Sequence, residues 1–218
     1  MLRVGFNEKI KDLNEEILRM GSMAEKQIRD SIEALCSRNA DLAERVINGD
    51  DAIDNMEKLI EEKALKLIAL EQPVARDLRE VFTATKIATD IERIADHAVD
   101  IAKITIRLKN EEYIKKLIDI PRISNIANAM LGDALEAYLD KDQTKAYEVC
   151  KRDDEIDDIY KQVFSELLIK MMENPKCINQ ASQFLFVCKY LERIADHITN
   201  ICEWIVYLKT GELIDLNN

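Results

Sequence analysis

Glu92-Arg93-Ile94-Ala95-Asp96-His97 returns unchanged as Glu192-Arg193-Ile194-Ala195-Asp196-His197, and an apolar stripe repeats around it in register. Ile87, Ile91, Ile94, Ala98, Ile101, Thr105 and Leu108 reappear as Val187, Leu191, Ile194, Ile198, Ile201, Ile205 and Leu208, each 100 residues later. Steps of three and four put these side chains on one face of an α-helix. Upstream, Val46, Asp50, Asp51, Ile53 and Asp54 recur as Val149, Asp153, Asp154, Ile156 and Asp157, each 103 residues later, and Pro73 and Pro175 follow at equivalent places. Six identical residues in register with a seven-position stripe mark an internal duplication with its boundary near residues 110 to 120.

The same spacing runs through most of the chain: Ile10, Leu13, Ile17, Met20, Ala24 and Ile28 in a first helix, then Leu42 through Ile53 and Ile60 to Leu67 in a second. A period-two pattern of β-branched residues is missing, and Gly and Pro are scarce at five and three. The fold class is therefore all-α. Breaks are predicted at Ser37-Arg38-Asn39, Gln72-Pro73, Lys109-Asn110, Lys141-Asp142 and Asn174-Pro175, with Pro121 in the first turn of a helix. Six helices with short connections give two tandem antiparallel three-helix bundles, residues 1–112 and 113–218. The expected body is elongated, with two bundles joined by a short linker.

A net charge of −11 excludes sequence-independent binding to nucleic acid, which needs Lys and Arg to neutralise phosphates. The five cysteines, Cys36, Cys150, Cys177, Cys188 and Cys202, are odd in number and form no Cys-x-x-Cys pair. Reduced, mostly buried thiols are expected rather than a disulfide framework or thiolate zinc site. Met1 to Phe6 lead directly into charged residues, and no apolar run reaches membrane-spanning length. A cytoplasmic location follows as an expectation.

Carboxylates form ladders. Glu92, Asp96 and Asp100 lie four apart beside the apolar stripe; the second copy has Glu192, Asp196 and Asn200. Asp50 and Asp54, and Asp153 and Asp157, form shorter ladders on the preceding helices. Like charges at this spacing destabilise a helix by a few tenths of a kcal/mol per pair, so facing ladders call for a neutralising cation. Carboxylate oxygens suit hard ions such as Mg²⁺, Ca²⁺, Mn²⁺ or iron. The competing reading is a solvated acidic face, with Arg93 and Arg193 in salt bridges to the acids. Retention of the same carboxylates in both copies favours metal. His97 and His197 are the sole histidines, and packing or hydrogen bonding suits them better than ligation. An enzyme would need an acid, base or nucleophile poised at an open metal position; apart from the two histidines none is visible. A carboxylate-ligated phosphatase is the alternative to a non-enzymatic role.

The doubled Glu-Arg-Ile-Ala-Asp, Gly49-Asp50 and Gln72-Pro73-Val74-Ala75-Arg76-Asp77-Leu78-Arg79 resemble the PhoU family over essentially the whole chain. The resemblance implies two three-helix bundles whose paired E(D)xxxD motifs hold multinuclear metal clusters, iron or zinc. It implies a negative regulator of phosphate uptake, an adaptor between the ATPase subunit of the phosphate ABC transporter and a sensor histidine kinase. A relative serving a low-affinity phosphate transporter is the variant of that role. Carried over by position, it makes Asp50, Asp54, Glu92, Asp96 and Asp100 ligands in the first half. In the second half it gives Asp153, Asp157, Glu192, Asp196 and the uncharged Asn200, which points to a weaker second site. A homodimer is also implied, with Trp204 and Tyr207 left uncovered near a helix end. Asp77 and Arg79 have no copy in the second half, where Gln180-Ala181-Ser182 runs instead. They become candidates for a partner contact, against the alternative that they brace the start of their helix.

Overall fold

The computed structural model describes residues 2–216, all helix and connecting loop. Among them eight α-helices follow in order: α1 (Leu2–Ser37), α2 (Ala40–Asn48), α3 (Asp50–Glu71), α4 (Arg76–Leu108), α5 (Asp119–Asp140), α6 (Gln143–Cys150), α7 (Asp153–Glu173) and α8 (Ile178–Thr210). They make six rods, because the second rod of each half is interrupted once, at Gly49 and at Lys151–Arg152.

The predicted breaks coincide with capping chemistry. Gln72 and Lys141 take the left-handed conformation that ends α3 and α5. Asn39 accepts a hydrogen bond from the Leu42 amide at 3.0 Å. Asp142 accepts from Thr144 and Lys145, so both side chains satisfy amides that a helix start leaves open. Asn174 precedes a single 3₁₀ turn, Pro175–Cys177, that redirects the chain into α8.

The two halves are less separate than a pair of bundles on a linker. Helices α4 and α8 run antiparallel side by side, as shown by Phe82 against Trp204 and Tyr207, Asp90 against His197, and Arg107 against Gln183. Both are apolar over more than one stripe, with Ala84, Ala88, Ala95 and Ala98 buried on α4 and Ala181, Ala195 and Ile198 on α8. Small residues on the second face let these helices approach each other as well as their own bundles. Gly21 does the same where α1 meets α5, since a Cβ there would lie 2.3 Å from Leu135 Cδ1. One continuous apolar core therefore runs through both halves. Trp204 and Tyr207 are covered in part by Phe82, so they are not the bare aromatic pair expected at a helix end.

The connection at 109–118 is tied down on both sides. The Tyr113 hydroxyl donates to Leu35 O at 2.8 Å, and the buried Gln180 accepts from the Ile114 amide at 2.7 Å while donating to Glu112 O. Arg79 packs over Gly211, the left-handed cap that ends α8. A guanidinium at a helix C-terminus is favourably placed against the helix dipole, so Arg79 braces the end of α8 rather than the start of its own helix.

Candidate metal centre

Helices α3 and α4 of the first half, and α7 and α8 of the second, bring the acidic ladders face to face. In the first half burial, then the charge of Asp54, then that of Asp96 raise the pKa of Asp50. Glu92 is pushed up to about 7, chiefly by burial and next by Asp96, with Glu57 and Asp54 adding to it. In the second half Asp153 is also pushed up to about 7, by burial and then by Asp196, Asp157 and Glu192. Burial and then Glu192 raise Asp196. Each half thus holds a half-buried carboxylate cluster under mutual repulsion.

The clusters are partly self-neutralised. Arg93 reaches Asp96 at 2.9 Å and Glu92 at 3.3 Å, and Arg193 reaches Asp196 at 3.1 Å. Lys189 pairs with Glu192 at 2.5 Å, where the first half has Thr89. Two buried oxygens make no hydrogen bond: Asp153 Oδ1, and Glu92 Oε2, which has only the Arg93 ion pair. Among the described residues no three His, Cys, Asp or Glu side chains converge closely enough to share an ion as they are now oriented. The donor set is all oxygen, it carries excess negative charge, and each half has a buried carboxylate oxygen that makes no hydrogen bond. These residues fit a hard cation once their side chains turn inward. Lys189 adds a positive charge to the second cluster at a position where the first half has none.

The third rungs and the histidines have partners of their own. Asp100 pairs with Lys103 at 3.0 Å. Asn200 donates to Asp90 Oδ1 at 3.2 Å, and His197 Nδ1 meets the same oxygen at 2.9 Å. Its counterpart His97 stacks on Tyr190, and the two imidazoles are 5.7 Å apart. Residues 90 and 190 are themselves copies, so the histidines and their partners form a pseudo-symmetric polar seam between α4 and α8. Both face the opposite half rather than the carboxylates. Glu57 was missed because it has no acidic copy: its equivalent is Tyr160. Its spacing from Asp50 and Asp54, seven and three residues, places it on the same helix face.

These clusters make stability depend on pH in a defined direction. Unfolded, the two carboxyls ionise near their ordinary 4.5 and 3.8; folded, both do so at about 7. Between those values the folded chain binds more protons than the unfolded one, so its stability falls as pH rises from about 4 to about 7. Urea denaturation of the metal-free chain at the two ends of that interval checks this. The variant Glu92→Gln/Asp153→Asn is expected to show a shallower slope, with Asp50 and Asp196 keeping part of it.

Two copies of one acidic motif, each on the last helix of a three-rod half and facing the preceding rod, are matched by a family model. The PhoU domain matches this chain twice, over residues 17–105 and 120–205. The chain belongs to the PhoU family. A Clostridium acetobutylicum protein, "Phosphate-specific transport system accessory protein PhoU homolog", is 52% identical over the full length of both chains. A Caulobacter vibrioides protein of the same name is 41% identical, over 95% of this chain and 90% of its own. The crystal structure of PhoU from Pseudomonas aeruginosa superposes with a TM-score of 0.90 at 34% identity, over 95% of this chain and all of that one. The phosphate transport system regulatory protein PhoU from Streptococcus pneumoniae gives the same score at 33% identity, over 96% and 99%. No helix of the described PhoU-family chain is long and apolar enough to cross a membrane.

Proposed function

We propose that this chain is an accessory regulator of a phosphate-specific transport system that carries cations in its two carboxylate clusters. It acts without catalysis, as an adaptor between the ATPase subunit of the transporter and a sensor histidine kinase, and keeps phosphate-starvation genes off when phosphate is plentiful. The observation that carries this reading is the full-length match to relatives named as accessory proteins of that transport system.

In the first cluster Asp50, Asp54, Glu57, Glu92 and Asp96 would hold the ion; in the second, Asp153, Asp157, Glu192 and Asp196. A bound cation would supply positive charge where Asp153 Oδ1 lacks a partner and Glu92 has only Arg93 beside it. Arg93 and Arg193 now pair with the last-helix carboxylates and would have to yield part of them to the ion, and Lys189 stands in for part of that charge in the second half. The continuous core across α4 and α8 keeps the two clusters at a fixed spacing, which suits a rigid docking body.

Deleting the gene in its host tests the regulatory role. Phosphate-starvation transcripts are expected to rise in phosphate-rich medium; transcripts that stay repressed would count against it.

A further inference from the structure

A cleft of about 200 Å³ opens where the joint between α2 and α3 meets α1. Met23, Val46 and Ile53 give it an apolar wall, and Gln27, Arg45 and Gly49 line it as well. Gln27 is only 8% exposed, and its side-chain amide makes no hydrogen bond among the described residues, with Oε1 shut away from solvent. A buried amide is costly to leave unpaired. Its Nε2 lies 3.5 Å from where a Cβ on Gly49 would stand, so the amide heads for the one lining residue without a side chain. Gly49 has a φ of −80°, which any residue adopts, so what glycine contributes here is open space. Arg45 is exposed, and its guanidinium meets no acid among the described residues, whereas Lys26 is taken up by Asp30.

The second half closes the equivalent place. At the offset of 103 residues, Gln27, Arg45 and Gly49 correspond to Met130, Glu148 and Arg152. Arg152 pairs at 2.7 Å with Asp133, the copy of Asp30, and Met130 is wholly buried. An apolar side chain and an ion pair thus stand where the first half keeps an unpaired amide, a glycine and a free guanidinium.

We propose that this cleft binds an adenine nucleotide. The Gln27 amide, turned about its last bond, accepts from the adenine N6 amino group and donates to N7, the two-bond pairing that glutamine makes with adenine. Met23, Val46 and Ile53 pack against the base. Pockets for whole ligands start at about 300 Å³, so this cleft holds the base while ribose and phosphate lie outside, within reach of Arg45. Guanine presents two acceptors, O6 and N7, on the same edge and leaves the amide oxygen facing one of them. Asp50 and Asp54 are neighbours in sequence, but the site uses none of the carboxylate clusters.

Calorimetric titration of the full chain tests this, with EDTA present so that no cation bridges a phosphate to the carboxylates. AMP is expected to bind one per chain, with GMP weaker by about tenfold or more. Gln27→Met copies the second half and is expected to abolish binding of AMP and adenosine alike, with helix content unchanged. Arg45→Glu copies Glu148 at an exposed position, so the fold is kept; it is expected to weaken AMP by about tenfold while leaving adenosine unaffected. The proposal is overturned if AMP gives no binding at about 1 mM or binds no better than GMP. It is also overturned if inorganic phosphate alone binds as tightly as AMP, or if Gln27→Met retains full affinity.

Discussion

Phe184→Ala is expected to lower stability by about 3–5 kcal/mol, a drop of roughly 2–4 °C in melting temperature for each kcal/mol. Phe184 is 1% exposed on α8, and its ring meets the edge of Tyr113 from the connecting segment at 5.2 Å. It also lines a small gap with Leu117, Ile120, Val163 and Leu167, from the connection, α5 and α7. Removing the ring leaves a cavity that three elements cannot easily close, which is why the range for a buried aromatic applies in full. Because one core spans both halves, the variant is expected to melt in a single transition shared by both. Two resolved transitions, with the first half unaffected, would show that α4 and α8 do not couple the halves. Calorimetry reads both the shift and the number of transitions.

Asp54→Asn combined with Glu92→Gln is expected to remove cation binding from the first half while raising the melting temperature of the metal-free chain. Both replacements keep the side-chain volume and the helix. Glu92 ionises only at about 7 because burial and Asp96 oppose its charge, and Asp54 raises both Glu92 and Asp50. Deleting two like charges from this cluster gives a gain of about 1 kcal/mol, roughly 2–4 °C, once exposure and the lost Arg93–Glu92 pair are discounted. Metal affinity should fall by more than the roughly 10–100-fold that even a supporting residue commands. The two effects have opposite signs in the loaded and empty chain. A higher melting temperature with unchanged metal content would reduce the ladder to a solvated acidic face.

Local chemistry was the legible part. The helix ends at Gln72, Lys141 and Asn174 follow from residues that cap or break a helix wherever they stand. The interruptions at Gly49 and Lys151–Arg152 were not legible, because the apolar spacing continues through them without a proline. The pairing of α4 with α8 was hidden for a different reason. A stripe reveals that a helix is buried, but not which of two similar helices covers its second face. The histidines illustrate this: their partners Asp90 and Tyr190 lie on the opposite half and differ chemically, so the repeat gave no hint of them. At the site, the retained carboxylates of each half come near enough to raise one another's pKa, while Asp100 pairs with Lys103 and Asn200 with Asp90. A fixed four-residue spacing cannot register which partner each rung takes.

The regulatory role and the carboxylate clusters meet in one measurement. Phosphate-starvation transcripts are quantified in phosphate-rich medium in a host whose own copy is deleted. That host carries either this chain or its variant with Asp54→Asn, Glu92→Gln, Asp157→Asn and Glu192→Gln. The unsubstituted chain is expected to restore repression, whereas the variant, equally abundant and equally helical, leaves the genes on. Full repression by the variant would contradict a regulator that works through cation-loaded clusters.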